Sequence, residues 1–277
     1  MGLRIATNVQ SLAAQRNLGI STSAQRASLE KLASGSRINR AADDAAGLAI
    51  SEKMKADIRS VRQDVRNAGD GISMIQTAEG GMNEIGNILI RFRELSIQAS
   101  SDTVSDVERG FIDKEVQQLK GEVERISKVT EFNGHKLLDG QGEKMEIQIG
   151  MNNKPDEDRF QFDSSKTDVS LGRLGLDGIS VAEKGSAQQN LSQIDEAIKT
   201  LSGNRAEMGA LQNRLQSSIN SLQIYDENLS GANSRIRDVD MASETSELTK
   251  ENILSTAGTA VLSQANQNNM LALKLIS

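Results

Sequence analysis

The sequence predicts a mainly α fold: a long antiparallel helical rod with a small β-hairpin region, plus paired N- and C-terminal coiled-coil arms. Six apolar residues fall seven apart at Met54, Val61, Ala68, Ile75, Met82 and Leu89, and seven more at Ile194, Leu201, Met208, Leu215, Leu222, Leu229 and Ile236. One proline in 277 residues, Pro155, leaves long helices unbroken. With 37% hydrophobic and only 2% aromatic residues, the core has to come from narrow helical seams rather than a globular interior. The next heptad positions outward are Gly47 on one side and Ser243 and Lys250 on the other, so both runs stop about forty residues short of the chain ends. The expected division is a helical rod at 41–237, with a hairpin region at about 132–185, between arms at 1–40 and 238–277.

The first arm shows one apolar stripe at Ile5, Val9 and Leu12 and a second at Leu29 and Leu32, with polar residues between. That is too little to hold a lone helix folded, so the arm has to dock on something. It lacks the continuous apolar region of a cleavable signal peptide, and Ala6 stands where myristoylation requires Ser or Thr. The segment Lys31 to Met54, KLASGSRINRAADDAAGLAISEKM, joins arm to rod. Gly35 and Gly47 flank the change of register and predict a loop or bend, and Arg37 and Arg40 close to Asp43 and Asp44 suggest a local ion-pair network.

A 3-4 apolar rhythm from Ala45 to about Ala99 predicts a helix on the order of 80 Å long. Gly69, Gly71, Gly80, Gly81 and Gly86 within it suggest close approach of another backbone. Ser105 and Glu108 form a capping box that opens a second helix, striped by Ile112, Val116, Leu119, Val123 and Ile126 and expected to run back along the first. From Phe132 to Gly185 the rhythm gives way to Gly-rich turns and to alternation at Met145–Ile149 and Phe160–Phe162, the signature of a hairpin. Asp156-Glu157-Asp158 reads as a polar turn. The third long helix begins near Ser186, and its heptad run spans roughly 63 Å. In the last arm one seam reads Leu254, Val261, Asn268, Leu275 and the other Ala257, Gln264, Leu271. Asn268 and Gln264 either fix register inside the seam or face water.

The net charge of −6 and a pI near 5.1 argue against a nucleic-acid partner, and no apolar run reaches membrane-spanning length. Charge is distributed unevenly. Residues 1–40 carry six basic residues against Glu30, a net +5, whereas 238–277 carry five acidic residues against Lys250 and Lys274, a net −3. Opposite signs suggest that the arms pair. Cys is absent, His135 stands alone in an FNGHKLL turn, the Asp-Glu-Asp run lacks calcium-loop spacing, and no Gly-rich phosphate loop follows a strand. No catalytic residue, cofactor site or metal site is expected.

The motifs LASGSRINRAADDAAGLAIS (32–51), NAGDGISMIQTAEGGMNEI (67–85), RFRELSIQAS (91–100) and FNGHKLL (132–138) follow one another in the first half. GALQNRL (209–215), SRIRDVDMASE (234–244) and AGTAVLSQANQ (257–267) follow in the last third. In that order they resemble the bacterial flagellins. The resemblance implies a secreted structural subunit, exported through the flagellar type III pathway and polymerised with copies of itself into the extracellular flagellar filament for swimming. It implies, as partners, the export apparatus, a secretion chaperone at the C-terminal arm, the filament cap and the hook-filament junction proteins, and vertebrate Toll-like receptor 5. Neither nucleic acid nor membrane insertion is expected.

Carried onto this sequence, the family pattern implies arms that pair through Ile5, Val9, Leu12, Leu254, Val261, Leu271 and Leu275. It implies a subunit interface at the joint through Arg37, Asn39, Arg40, Asp43 and Asp44, and receptor recognition at Arg91, Phe92, Arg93, Glu94 and Leu95 with Glu115. Where the family carries large outer domains this chain has only about fifty residues, which implies a thin, smooth filament. Asn269 stands where the family usually has Pro, and the hairpin segment is short and acidic. The competing readings are a hook-filament junction-type protein and a secreted monomeric helical binding protein.

Overall fold

The computed structural model describes residues 7–142 and 144–274, with side chains as far as Asn268. Seven helices and four strands follow in order: α1 (Val9–Ser34), α2 (Ala45–Ala99), α3 (Asp106–Val129), β1 (Glu131–Phe132), β2 (His135–Lys136), β3 (Met145–Gln148), α4 (Pro155–Asp158), β4 (Arg159–Phe162), α5 (Leu171–Leu174), α6 (Lys184–Arg237) and α7 (Met241–Lys274). The fold is mainly α, with two small antiparallel sheets. It divides into two units, 1–57 with 228–277, and 58–227.

In the unit 58–227, α3 and α6 each run antiparallel to α2 along its stripe. Ion pairs mark the alignment: Arg91 of α2 meets Glu115 of α3, while Arg93 and Arg62 of α2 meet Asp195 and Asp226 of α6. Val61, Ala68, Ile75, Met82 and Leu89 are sealed from solvent, as are Val123 of α3 and Ile194 and Leu215 of α6. The seam continues past Leu89 through Phe92 and Leu95 to Ala99. At about 25 cal/mol per Å² of apolar surface, burial of this kind dominates the unit's stability. The glycines of α2 admit side chains, not a backbone: a Cβ on Gly71 would strike Ile147, one on Gly81 would strike Thr130 and Leu138, and Gly69 and Gly80 face open space.

The turn from α2 to α3 is closed twice. Ser105 and Glu108 form the expected capping box. Buried Arg109 donates to the carbonyls of Ala99 and Ser101 and to Asp106 Oδ1, at 2.9, 3.0 and 2.6 Å, taking up acceptors that the end of α2 leaves open. After α3, Asn133 and Gly134 both hold positive φ, 49° and 82°, the two-residue turn that Asn-Gly favours, and it joins β1 to β2. The second sheet pairs Met145 with Phe162 and Ile147 with Phe160, which puts both phenylalanines into the core. Asp156 to Asp158 form one helical turn, and Asp158 is buried rather than solvated.

Candidate functional site

The unit formed by 1–57 and 228–277 contains the joint. Helix α1 stops at Gly35, whose φ of 69° needs a residue without a Cβ penalty. The chain then forms a short antiparallel bridge: Arg37 N–H donates to the Arg237 carbonyl at 2.6 Å, and Val239 N–H to the Gly35 carbonyl at 3.0 Å. The Arg37 guanidinium donates to the Ile236 carbonyl at 2.6 Å and so caps the end of α6. Arg40 grips Glu30 with two bonds of 3.0 and 2.6 Å, and Asn39 donates to the Glu30 carbonyl and to Ser34 Oγ.

The two aspartates do not pair with Arg37 or Arg40 as the sequence suggested. Asp43 Oδ2 accepts the backbone N–H groups of Asn39 and Arg40, and these bonds, with Lys31 and Arg40 nearby, hold its carboxyl below the usual aspartate value. Asp44 Oδ1 accepts Gly47 N–H at 2.8 Å and caps α2. Both carboxylates satisfy backbone donors, a stronger demand than an exposed ion pair. A Cβ on Gly47 would lie 2.4 Å from the Asp44 carboxylate and 2.9 Å from Ile38, so a side chain there would have to displace the cap and the buried Ile38.

Helices α1 and α7 run antiparallel. Asn8 donates to the Ala265 carbonyl, Ser11 Oγ to Asn266, Gln25 to Asn252, and Lys31 pairs with Glu244 at 3.7 Å. The buried side chains of this seam are Ser11, Ala14 and Ser28 opposite Ala265 and Glu251, and Leu18 lies against Gly258. Of the residues expected to carry the pairing, the four that are described are not its buried ones: Val9 is 64% exposed, Leu12 57%, Leu254 45% and Val261 58%. Small and hydrogen-bonding residues bring the helix axes together and turn the aliphatic stripe outward. Ile5, Leu275 and the Leu271 side chain lie outside the described residues. Gln264 and Asn268 are exposed, and among the described residues Lys31–Glu244 is the one ion pair that links the oppositely charged arms.

The third candidate, on α2 and α3, splits in two. Arg91 donates to Glu115 at 2.9 and 2.8 Å and to Glu94 at 3.0 Å, an exposed triad that raises the guanidinium pKa, through Glu115 first. Phe92 and Leu95 are core residues, 0% and 1% exposed, and Arg93 is bound to Asp195 on α6. The 3-4 spacing of Leu89, Phe92, Ser96 and Ala99 points Phe92 inward, so the six residues do not form one surface. Exposed apolar side chains that the six candidates did not include are Ile90 and Ile97 on α2 and Val107 and Phe111 on α3. Their signal was their place opposite the buried stripe.

Among the described residues no group of three His, Cys, Asp or Glu could hold a metal, and no helix is long and apolar enough to cross a membrane. Residues 5–143 match the family described as the bacterial flagellin N-terminal helical region, and 191–275 the bacterial flagellin C-terminal helical region. A flagellin of Halalkalibacterium halodurans is 45% identical over 269 residues, covering 97% of this chain and 98% of its own. A flagellin of Bacillus subtilis is 42% identical over 303 residues, covering 99% and 100%. A flagellar filament core protein of Treponema maltophilum is 41% identical over 282 residues, covering 98% of each. Among solved structures, Bacillus cereus flagellin superposes with a TM-score of 0.51 at 28% identity, over 57% of this chain and 88% of that one. A hook-associated protein of Vibrio parahaemolyticus, at 11% identity, TM-score 0.58 and coverage of 71% and 100%, shares the fold alone.

Proposed function

The chain belongs to the bacterial flagellin family, and on that premise we propose how its residues serve the polymer. It is a structural subunit of the flagellar filament, an extracellular appendage of motility. The proposal is that the outward stripe of the arms is the surface that neighbouring subunits cover. One observation supports it: Val9, Leu12, Ile20, Leu29, Ile253, Leu254 and Val261 remain exposed after α1 and α7 have paired. Apolar side chains left exposed in this number are a feature of binding surfaces. Purified chain seeded with filament fragments and viewed by electron microscopy tests this. Leu12→Ser with Val261→Ser should abolish elongation while the monomer keeps its helicity, and normal filaments from that variant would remove the stripe from the interface.

The joint residues Arg37, Asn39, Arg40, Asp43 and Asp44 are proposed to act indirectly, by fixing the geometry in which α1 and α7 leave the turn, with Arg40 and Asp43 exposed enough to meet a neighbour. Export through the flagellar type III pathway, a chaperone on α7, and contact with the cap and hook-filament junction proteins are proposed from family membership. A thin filament is proposed from the short segment between α3 and α6. No catalytic activity is assigned.

Recognition by Toll-like receptor 5 is proposed for the exposed triad Arg91, Glu94 and Glu115. Substituting Leu95 would damage the core and confuse the test. Alanine at the three charged positions should abolish receptor signalling by monomer with the fold intact, and undiminished signalling would refute the assignment.

A further inference from the structure

Asp64 of α2 is 5% exposed, and its Oδ2 has no hydrogen-bond partner. Isolated buried carboxylates are costly when ionised, and each needs an account. Among the described residues no salt bridge reaches Asp64, and the nearby cations of these elements have other partners. On α2, Arg62 is held by Asp226 of α6 and Arg66 by Gln63. Arg214 of α6 lies over the Phe160 ring, Arg159 of β4 bonds Glu146, and Lys154 bridges to Glu157. The charge that acts on Asp64 is that of another acid, Asp158, itself buried, with one oxygen already accepting Lys154 N–H at 3.0 Å.

Asp158 closes one end of the second sheet, where its carbonyl accepts Ile149 N–H at 2.8 Å. One turn after Asp64, Asn67 donates to the Gln148 carbonyl at 3.0 Å and fastens the same end of the sheet to α2. We propose that Asp64 is a proton-operated latch on the β3–β4 hairpin: protonated, it lets the 148–158 end seat against α2, and ionised, it repels Asp158 and loosens that end. Burial first, and the charge of Asp158 second, push the Asp64 carboxyl above its ordinary value. For an acid raised in the closed state, stability is greatest below the ordinary value and is lost as pH rises through the raised one. The inference concerns contacts within one chain and does not depend on the filament reading.

Amide exchange of Ile149, corrected for intrinsic rate, reads the latch in full-length monomer kept too dilute to assemble. Protection in the wild type should fall between pH 4 and pH 8, by roughly tenfold for each unit separating the closed and open pKa values. Asp64→Asn, neutral at every pH, should remove this fall and stay protected at pH 8. An equal fall in the variant, or none in the wild type, would overturn the proposal. Carboxyl-carbon titration of wild-type Asp64 needs no variant: a midpoint above 3.8 is expected, and one at or below it refutes the latch. Asp158→Asn should lower that midpoint, and an unmoved midpoint would refute the repulsion.

Discussion

In α2 the heptad positions from Val61 to Leu89 are sealed, whereas on α1 and α7 the residues of the aliphatic stripe stand about half or more exposed. Both patterns follow from apolar residues at helical spacing. The difference lies in what shares the helix surface. Opposite the stripe of α2 stand Val116, Val123, Leu201 and Leu215, bulky enough to complete a seam within the unit. Between α1 and α7 the contact is made by Ser11, Ala14, Ser28 and Ala265, with Asn and Gln bridging. A heptad stripe states how much surface must be buried, and its partner's composition decides whether the same chain can bury it.

The largest break in that comparison should come from Phe92→Ala, expected to destabilise the 58–227 unit by about 3–5 kcal/mol in urea unfolding. Leu12→Ala should shift monomer stability by no more than about 0.5 kcal/mol yet slow polymerisation. If the two variants destabilise the monomer alike, the contrast between the regions is false. Arg109→Ala follows at about 1.5–3 kcal/mol, since it strips a buried charged donor from the Ala99 and Ser101 carbonyls. Faster exchange of the first amides of α3 would show the turn loosening. Asp44→Ala should cost about 1 kcal/mol by uncapping α2, visible as fraying of its first turn in amide exchange.

The smallest effect sharpens the picture of the joint. Asp43 has a depressed pKa, so its contribution is present above the ordinary value of 3.8 and is lost as pH falls through the lower folded one. Amide exchange at Asn39 and Arg40 should therefore accelerate in the wild type as pH drops below 3.8. In Asp43→Asn the acceleration should be absent.

The three long helices, the Ser105–Glu108 box, the Phe132 turn and the two strands of the hairpin were legible because each depends on local spacing or turn chemistry. The roles of Asp43 and Asp44 were not: charge proximity in sequence pointed to arginines, while unsatisfied backbone donors at a turn and a helix start had the prior claim. Phe92 and Leu95 were readable in principle, since extending the 3-4 rhythm past Leu89 puts both in the core. The arm seam was hidden for a different reason. Small polar residues carry no periodic hydrophobic signal, so the aliphatic stripe drew attention away from Ser11, Ala14 and Ser28.

Amide exchange of the full-length chain, measured in dilute monomer and again after polymerisation, tests most directly the claim that assembly completes the arms. With a thin polar seam, ordering costs of roughly 1–2 kcal/mol per residue of backbone are poorly offset in α1 and α7. Their monomer amides should exchange far faster than the sealed stretches of α2, α3 and α6, and become protected in the filament as the stripe is covered. Arms as protected in the monomer as the 58–227 core, and unchanged on polymerisation, would contradict the account.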